Sequence, residues 1–257
     1  WSWSRGLGDV YKRQVQHSVP KPAGLIICYP SNPTAKVVDL DFYGQVIDFC
    51  RYHDIWVISD LAYAEIYFGD EPPPSILQVP GAKDIAVEFT SLSKTYSMPG
   101  WRIGFCCGNP LLIEALARVK SYLDYGAYTP IQVAATAALN GPQDCVAEVR
   151  EMYRERRDTL VEAFSQAGWE VPPPPASMFC WAPLPPEIAH VGSMAFAKLA
   201  LTEAKVAVSP GVGFGEYGEG YVRLGLVENR HRIRQAARNL KSFLSSDPER
   251  SLALAAE

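Results

Sequence analysis

The chain is organised around a polar loop, Ser91-Leu92-Ser93-Lys94-Thr95-Tyr96-Ser97-Met98-Pro99-Gly100-Trp101-Arg102. Apolar runs at residues 85–89 and 103–107 flank this loop and predict a strand on each side. One lysine therefore lies among hydroxyl groups at the end of a strand, with an arginine eight residues further on. These residues alone leave two interpretations open. Lys94 is either a solvated loop lysine or a Schiff-base lysine, with Arg102 and Ser91 placed to bind a phosphate.

Two further polar residues follow apolar runs that predict buried parallel strands. Residues 24–29 precede Asn32, and residues 55–58 precede Asp60. The intervening residues 38–53 carry apolar side chains at helical spacing, so the three segments together predict a βαβ unit. Because ligands in such sheets bind beyond the carboxyl ends of the strands, we expect Asn32, Asp60 and Lys94 to mark one site.

The rest of the chain predicts three helices followed by a smaller α+β region. The helices are expected at residues 110–122, 130–139 and 143–167, with Asn109 capping the first. In the α+β region we expect strands at residues 169–171, 178–181, 206–208 and 221–227, and helices at residues 193–203 and 230–243. The glycine-rich residues 211–215 lack the strand-loop-helix context of a dinucleotide-binding fingerprint, so we reject that function.

Composition and charge narrow the classes of function. The 257 residues are 48% hydrophobic and carry a net charge of −4, and no long basic block points to a nucleic acid or an anionic membrane. The apolar runs are too short for a transmembrane helix. The six cysteines show no C-x-x-C spacing and the four histidines are scattered. We therefore expect buried free thiols, a cytoplasmic protein and no metal site.

Four segments are expected along the chain. Residues 1–14 lack an initiator methionine and a clear periodicity, and we interpret them as a non-native leader. Residues 15–145 are expected to form part of a large domain, and residues 146–245 a small C-terminal domain. Residues 246–257 are polar and then alanine-rich, so we expect a loose tail.

The ordered set of motifs resembles the fold-type I, pyridoxal-phosphate-dependent aminotransferases of class I/II. The set consists of Tyr-Pro-Ser-Asn-Pro-Thr at residues 29–34, Ile-Ser-Asp-Leu-Ala-Tyr at 58–63, the loop at 91–102 and Tyr-Val-Arg-Leu-Gly at 221–225. The resemblance covers most of the chain. It implies an α/β fold of PLP-transferase fold type I, with a mostly parallel central sheet, helices on both of its faces and a smaller α+β C-terminal domain.

The resemblance also implies roles for individual residues. Lys94 matches the lysine that carries pyridoxal 5'-phosphate as an aldimine and then moves a proton. Asp60 matches the carboxylate that keeps the ring nitrogen of the cofactor protonated, and Ala62 matches the small residue against the ring face. Tyr63 and Asn32 match the pair that hydrogen-bonds the phenolic oxygen of the cofactor.

The remaining matches concern anionic groups. Arg102, Ser91 and Ser93 match ligands of the cofactor's phosphate, for which arginine offers a planar fork of donors. Arg223 matches the arginine that binds the α-carboxylate of the substrate. Asn32 is expected to contact the substrate as well as the cofactor.

Several stretches resemble one branch of the family, the bacterial alanine (glutamate–pyruvate) aminotransferases, which are relatives of LL-diaminopimelate aminotransferase. These stretches are residues 30–35, 60–64, 113–122, 211–215 and 227–230. The resemblance implies amino-group exchange between L-amino acids and 2-oxo acids by a homodimer, with glutamate or alanine and pyruvate or 2-oxoglutarate as the reactants. Family members carry a long segment before the position of Gly24, so we interpret the chain as N-terminally truncated and expect it to be poorly active alone.

Three alternatives stay open. The first is an LL-diaminopimelate-type aminotransferase, the second is the aminotransferase-like effector domain of a transcription regulator, and the third is a non-catalytic remnant. A basic DNA-binding module upstream would indicate the regulator. A related lyase would release ammonia or a thiol instead of exchanging an amino group.

Overall fold

The computed structural model describes residues 8–246, with side chains described from residue 13 onward. The chain divides into two compact units. The first contains the described residues up to Pro30 together with Val37–Ala147, and the second contains Ser31–Lys36 and the described residues from Glu148 onward. The leader predicted at residues 1–14 lies outside the described residues except for its last seven, which begin helix α1 (Gly8–His17). The tail predicted at residues 246–257 lies outside them after residue 246.

The first unit is built on a four-stranded sheet. Its strands are β1 (Gly24–Cys28), β2 (Trp56–Asp60), β3 (Ala86–Ser91) and β4 (Gly104–Gly108), in that spatial order. The first three are parallel and β4 is antiparallel to β3. The helices of this unit after α1 are α2 (Leu40–Tyr52), α3 (Leu92–Thr95), α4 (Pro110–Leu123), α5 (Thr129–Asn140) and the start of α6 (Asp144–Ser165). This mixed, mostly parallel sheet with its helices confirms the predicted α/β fold class.

Helix α2 supplies much of the core of the first unit. Its apolar side chains recur at the spacing of one helix face, and they are buried together with side chains from β1, β2 and β3. This core contains Ile27, Tyr43, Val46, Ile47, Cys50, Ile55, Val57, Ile76, Ala82 and Ala86. The Asp39 side chain begins α2 by accepting a hydrogen bond from the Phe42 backbone amide at 2.8 Å.

The cap predicted for α4 is confirmed. The Asn109 Oδ1 atom accepts hydrogen bonds from the backbone amides of Leu111 at 2.9 Å and Leu112 at 3.2 Å. The Asn109 Nδ2 atom donates to the Asp84 carbonyl at 2.7 Å. One buried side chain thus begins the helix and ties its first turn to the segment that leads into β3.

The second unit contains a three-stranded antiparallel sheet. Its elements are the rest of α6, then β5 (Phe179–Pro183), α7 (Ser193–Thr202), β6 (Ser209–Pro210), β7 (Tyr221–Gly225) and α8 (Arg230–Ser245). The spatial order of the strands is β5-β7-β6. Cys180, Val222 and Leu224 are buried on one face of this sheet. Because side chains alternate along a strand, Phe179, Trp181, Tyr221 and Arg223 share the opposite face.

Two predicted strands of the second unit are wrong. Residues 169–171 form no strand. The Trp169 side chain is buried there by packing, because its ring stacks on Phe164 at 5.5 Å and its Nε1 donates to the Pro183 carbonyl at 2.7 Å. The strand predicted at residues 206–208 lies at Ser209–Pro210 instead, because the Val206 amide donates to the Ala200 carbonyl rather than to a neighbouring strand.

The cysteines are free, but the prediction that they are buried is correct for only two of them. Burial raises the pKa of Cys50 to about 11 and that of Cys180 to about 12, so both stay protonated at neutral pH. Four others are partly or fully exposed, namely Cys28, Cys106, Cys107 and Cys145. Cys106 and Cys107 lie in β4, an edge strand of the sheet in which no residue is buried.

Residues 8–246 contain neither a membrane-spanning helix nor a metal-binding cluster. No helix in this part of the chain is both long and apolar enough to cross a membrane. Within the same residues, no group of three or more His, Cys, Asp or Glu side chains is arranged to hold a metal ion.

Candidate active site

Asp60 and Tyr63 lie where β2 ends in the first unit. β2 and β3 are parallel, and the Leu61 amide still donates to the Phe89 carbonyl at 2.9 Å, so the two strands end at the same edge of the sheet. The Asp60 Oδ1 atom accepts a hydrogen bond from the Ala62 amide at 3.1 Å, which forms a tight turn. This turn leads directly to Tyr63, whose side chain is buried.

Lys94 lies in a single helical turn at the end of β3. Ser91 begins that turn, because its Oγ accepts a hydrogen bond from the Ser93 amide at 3.2 Å. Leu92 and Ser93 are buried and hold the turn against the sheet, while Lys94 is half-buried. The Lys94 Nζ atom lies over the Tyr63 ring, 5.9 Å from its centroid. The structure therefore brings together two predicted site residues that are 31 positions apart.

Arg102 lies next to this turn with a left-handed backbone, at φ 51°. Such a backbone is uncommon for residues other than glycine, and strained positions of this kind often occur at functional sites. The segment runs alongside the lysine turn, because the Leu92 amide donates to the Ile103 carbonyl at 3.2 Å and Gly104 pairs with Ser91. Gly104 is required there, since a Cβ atom would collide with the Thr90 carbonyl oxygen.

The phosphate ligands predicted from the resemblance are close in the chain and in the sheet, but hydrogen bonds join only Ser91 and Ser93 among them in the described part of the chain. The exposed Arg102 guanidinium donates to the Pro99 carbonyl at 3.0 Å. Among the described residues it makes no hydrogen bond to Ser91 or Ser93. Joint binding of one phosphate by Arg102, Ser91 and Ser93 therefore stays a prediction.

A buried carboxylate near this site was not predicted from the sequence. Glu88 lies in β3 and accepts hydrogen bonds from Ser59 Oγ at 3.1 Å, Ser75 Oγ at 2.6 Å and the Ile76 amide at 3.1 Å. Glu88 thereby fixes Ser75 and Ile76 to the sheet, and these two residues belong to the same β2–β3 connection as Tyr63. Burial, followed by the nearby Glu88 charge, raises the pKa of Tyr43. A glutamate inside an otherwise apolar run was the only signal in the sequence.

Asn32 and Arg223 are brought together within the second unit, although they are 191 residues apart in the chain. The Arg223 Nη1 atom donates to the Asn32 Oδ1 atom at 2.7 Å, and Nη2 lies 3.5 Å from Ser209 Oγ. Two aromatic rings also lie within 5 Å of the guanidinium carbon, those of Phe179 and Phe214. Neither ring was predicted, because nothing local in the sequence indicates that these side chains meet an arginine.

The residues of the first unit offer the groups that a pyridoxal phosphate molecule requires. The Lys94 amine and the Tyr63 ring are adjacent, and the Asp60 carboxylate is held at the same sheet edge. The Ser91 hydroxyl and the Arg102 guanidinium belong to neighbouring segments beside Lys94. An amine, a carboxylate, a phenol and phosphate-binding donors form a set that fits this cofactor.

Comparison with known proteins agrees with this set of groups. The sequence profile described as "Aminotransferase class I and II" matches residues 5–240. AatC from Rhizobium meliloti (strain 1021) is 66% identical over 93% of this chain. The glutamate-pyruvate aminotransferase AlaC from Escherichia coli (strain K12) is 53% identical over 92% of it. The LL-diaminopimelate aminotransferase of Moorella thermoacetica (strain ATCC 39073 / JCM 9320) is 46% identical over 86%.

These curated relatives are longer than the chain. It covers 59% of AatC, 57% of AlaC and 56% of the Moorella protein. Among solved structures, the aromatic aminotransferase from Pyrococcus horikoshii OT3 matches with a TM-score of 0.84 and 30% identity, over 94% of this chain and 64% of that one. The substrate-bound BacF structure from Bacillus subtilis matches with a TM-score of 0.83 and 32% identity, over 87% and 56%.

Proposed function

Because this chain belongs to the aminotransferase class I and II family, we propose that it carries out pyridoxal-phosphate-dependent transamination, with Lys94 as the residue that binds the cofactor. The single observation that carries this proposal is the position of Lys94 on a short turn at a strand end, with its amine over the Tyr63 ring. A lysine held against a ring in a half-buried place is suited to covalent chemistry and to proton transfer. When bound, the cofactor supplies an electron sink for charge that develops at the substrate's Cα.

The proposed roles of the other residues in the first unit follow from their chemistry. Asp60 would hold a proton on the ring nitrogen, and its Oδ1 is already oriented by the Ala62 amide. Ala62 would lie against the ring face. Tyr63 would donate to the phenolic oxygen of the ring, and Asn32 is proposed to share that role.

Binding of anionic groups is assigned to the two arginines. Arg102 would bind the cofactor's phosphate with help from Ser91 and Ser93, since a guanidinium offers two parallel donors to phosphate oxygens. Arg223 would bind the substrate's α-carboxylate, with Asn32 beside it at 2.7 Å. Such a clamp orients the substrate and so lowers the barrier to removal of the Cα proton.

Glutamate or alanine with pyruvate or 2-oxoglutarate are the proposed substrates. The identity of 53% to AlaC, which is named a glutamate-pyruvate aminotransferase, supports this choice. LL-Diaminopimelate is the second candidate donor, because relatives of that name are 46% identical. The ratio of kcat/KM for alanine and for LL-diaminopimelate, each with 2-oxoglutarate, decides between them.

The other proposals concern the intact protein. We propose that the large cofactor-binding domain includes residues 15–145 and the small domain residues 146–245. A homodimer is supported by the exposed apolar side chains around α4 and α5, such as Tyr122 (78% exposed) and Tyr125 (91% exposed), because exposed apolar patches often mark interfaces. Sedimentation equilibrium of the intact protein measures this oligomeric state.

The six free cysteines support a reducing, cytoplasmic compartment.

The proposed function is tested by replacing Lys94 with alanine in the intact protein. Amino transfer from glutamate to pyruvate should fall by at least about a thousandfold, because the variant loses a nucleophile and a proton-transfer group together. The control is Lys83→Ala, which removes an exposed lysine three residues before β3 begins and should keep full activity. Normal turnover by Lys94→Ala would contradict the proposal. Cofactor binding without amino transfer by the parent protein would favour the effector-domain alternative.

A further inference from the structure

Arg223 lies on an aromatic face of the second unit. It belongs to β7, the middle strand, and pairs with Trp181 on one side and Ser209 on the other. The Trp181 ring stacks on Tyr221 with centroids 5.4 Å apart and planes inclined by 6°. The guanidinium is therefore the charged group on a face made mostly of rings.

The guanidinium contacts two polar side chains and two aromatic rings. Nη1 donates to Asn32, and Nη2 approaches Ser209. Its central carbon lies 4.6 Å from the centroid of the Phe214 ring and 4.8 Å from that of Phe179. Both distances are within the range of a favourable cation–π contact. The guanidinium therefore combines ring contacts with hydrogen bonds from its N–H groups.

Phe214 differs from Phe179 because it comes from a loop rather than from the sheet. It ends the 3₁₀ turn Gly211–Phe214 and is 39% exposed. The loop is tethered, since the Val212 amide donates to the buried Ser193 Oγ at 3.2 Å. Its ends are also packed closely, because a Cβ atom on Gly211 would collide with the Gly218 carbonyl. The glycine-rich sequence thus fixes the place from which the Phe214 ring reaches the arginine.

Phe214 also contacts Trp181. Their centroids are 5.9 Å apart and the planes are inclined by 82°, an edge-to-face arrangement. The Phe214 ring is therefore supported by an aromatic neighbour while it contacts the guanidinium. A supported ring limits the positions that a long, flexible arginine side chain adopts.

We propose that Phe214 is a positioning residue for the substrate's carboxylate, acting through Arg223. The ring holds the guanidinium in the orientation that binds a carboxylate with two parallel hydrogen bonds, so less freedom is lost when the substrate binds. This inference rests on the proposed function, in which Arg223 binds the α-carboxylate. It assigns a role to the loop that the sequence shows only as a run of glycines.

The experiment compares Phe214→Leu, Phe214→Tyr and Tyr217→Leu in the intact, cofactor-loaded protein. Leucine keeps apolar volume and removes the ring, tyrosine keeps the ring, and Tyr217 is an aromatic residue of the same loop that is 86% exposed. The readouts are KM and kcat for glutamate and the dissociation constant of 2-oxoglutarate from calorimetry. Melting curves verify that each variant is folded.

We expect Phe214→Leu to raise KM and the dissociation constant about five- to twentyfold, with a smaller change in kcat, as for a lost cation–π contact. Phe214→Tyr should keep KM and the dissociation constant within about twofold of the parent values, because the ring is retained. Tyr217→Leu should match the parent. Unchanged binding by Phe214→Leu, a loss confined to kcat, or equal defects in the leucine and tyrosine variants would each overturn the inference.

Arg223→Leu separates this inference from the proposed function. A large rise in KM for Arg223→Leu together with parental values for Phe214→Leu would overturn only the role of Phe214. Parental values for Arg223→Leu would contradict the proposed carboxylate clamp itself, and the inference about Phe214 would fall with it.

Discussion

The surroundings of Lys94 and Arg223 differ in a way that matches their proposed tasks. The Lys94 amine lies over one ring at 5.9 Å, and within residues 8–246 no hydrogen bond or ion pair holds it. The Arg223 guanidinium is held by Asn32 and by the rings of Phe179 and Phe214, with Ser209 nearby. An amine that forms and breaks bonds is hindered by strong competing partners, whereas a group that only binds gains from being oriented in advance.

Because of this difference, substitutions in the two regions should impair the protein in different ways. Changes around Lys94 remove the proposed reacting groups, which contribute little to packing, so activity should fall more than stability. Changes around Arg223 alter the packed side chains and loops of the second unit that support the guanidinium, which we call its frame. Substrate binding and stability should therefore change together.

Asp60→Ala has the largest expected effect of these predictions. We expect kcat/KM to fall about a hundred- to a thousandfold, because in the proposed function the cofactor's ring nitrogen would lose its anionic partner. The melting temperature should change little, since the half-buried carboxylate is bonded to the Ala62 amide at the end of a strand. Asp48→Ala, on the exposed side of α2, is the control. A large loss of stability in Asp60→Ala with normal turnover would contradict the expectation that this region affects activity more than stability.

Glu219→Gln tests the frame of the second unit through its dependence on pH. The backbone amides of Ser193 and Gly220 donate to this carboxylate and lower its pKa from the ordinary value of 4.5. A lowered pKa in the folded state means that the charged form stabilises the fold above pH 4.5, and that this contribution is lost as the pH falls through the folded-state pKa.

The parent should therefore unfold at higher urea concentration than Glu219→Gln at pH 7, and the two midpoints should converge as the pH falls below 4.5. Glu216→Gln, on the exposed surface of the same loop, provides the control and should track the parent throughout. A difference between parent and Glu219→Gln that persists unchanged at acidic pH would show that the charge is not the cause.

Ser177→Gly has the smallest expected effect. Ser177 has a left-handed backbone at φ 75°, and its buried Oγ has no hydrogen-bond partner among the described residues. Glycine adopts this backbone without strain and removes the buried hydroxyl, so we expect a gain of about 1 kcal/mol in the free energy of unfolding. Gly168→Ala is the matched control of opposite sign, because Gly168 has φ 89° and a Cβ there is strained although nothing crowds it. Destabilisation by Ser177→Gly would contradict the interpretation of this turn as strained.

The sequence predicted the elements whose formation depends on local pattern. Apolar runs located the four strands of the first unit, and Asn109 was identified as a cap because its neighbours in the chain define that role. The strand predicted around Trp169 was wrong, because the sequence does not distinguish an apolar residue that fills a core from one that belongs to a strand. The rings around Arg223 and the donors to Glu88 were missed since they arise only when distant segments pack together.

The most direct test of the account is the chemical identity of the residue that binds the cofactor. The intact protein is incubated with pyridoxal 5'-phosphate, reduced with borohydride, digested with trypsin and mapped by mass spectrometry. Reduction makes the link permanent and blocks cleavage at the modified lysine. We expect a phosphopyridoxyl group on Lys94 within a peptide that covers residues 84–102. Modification of another lysine, with Lys94 unmodified and cleaved normally, would contradict it.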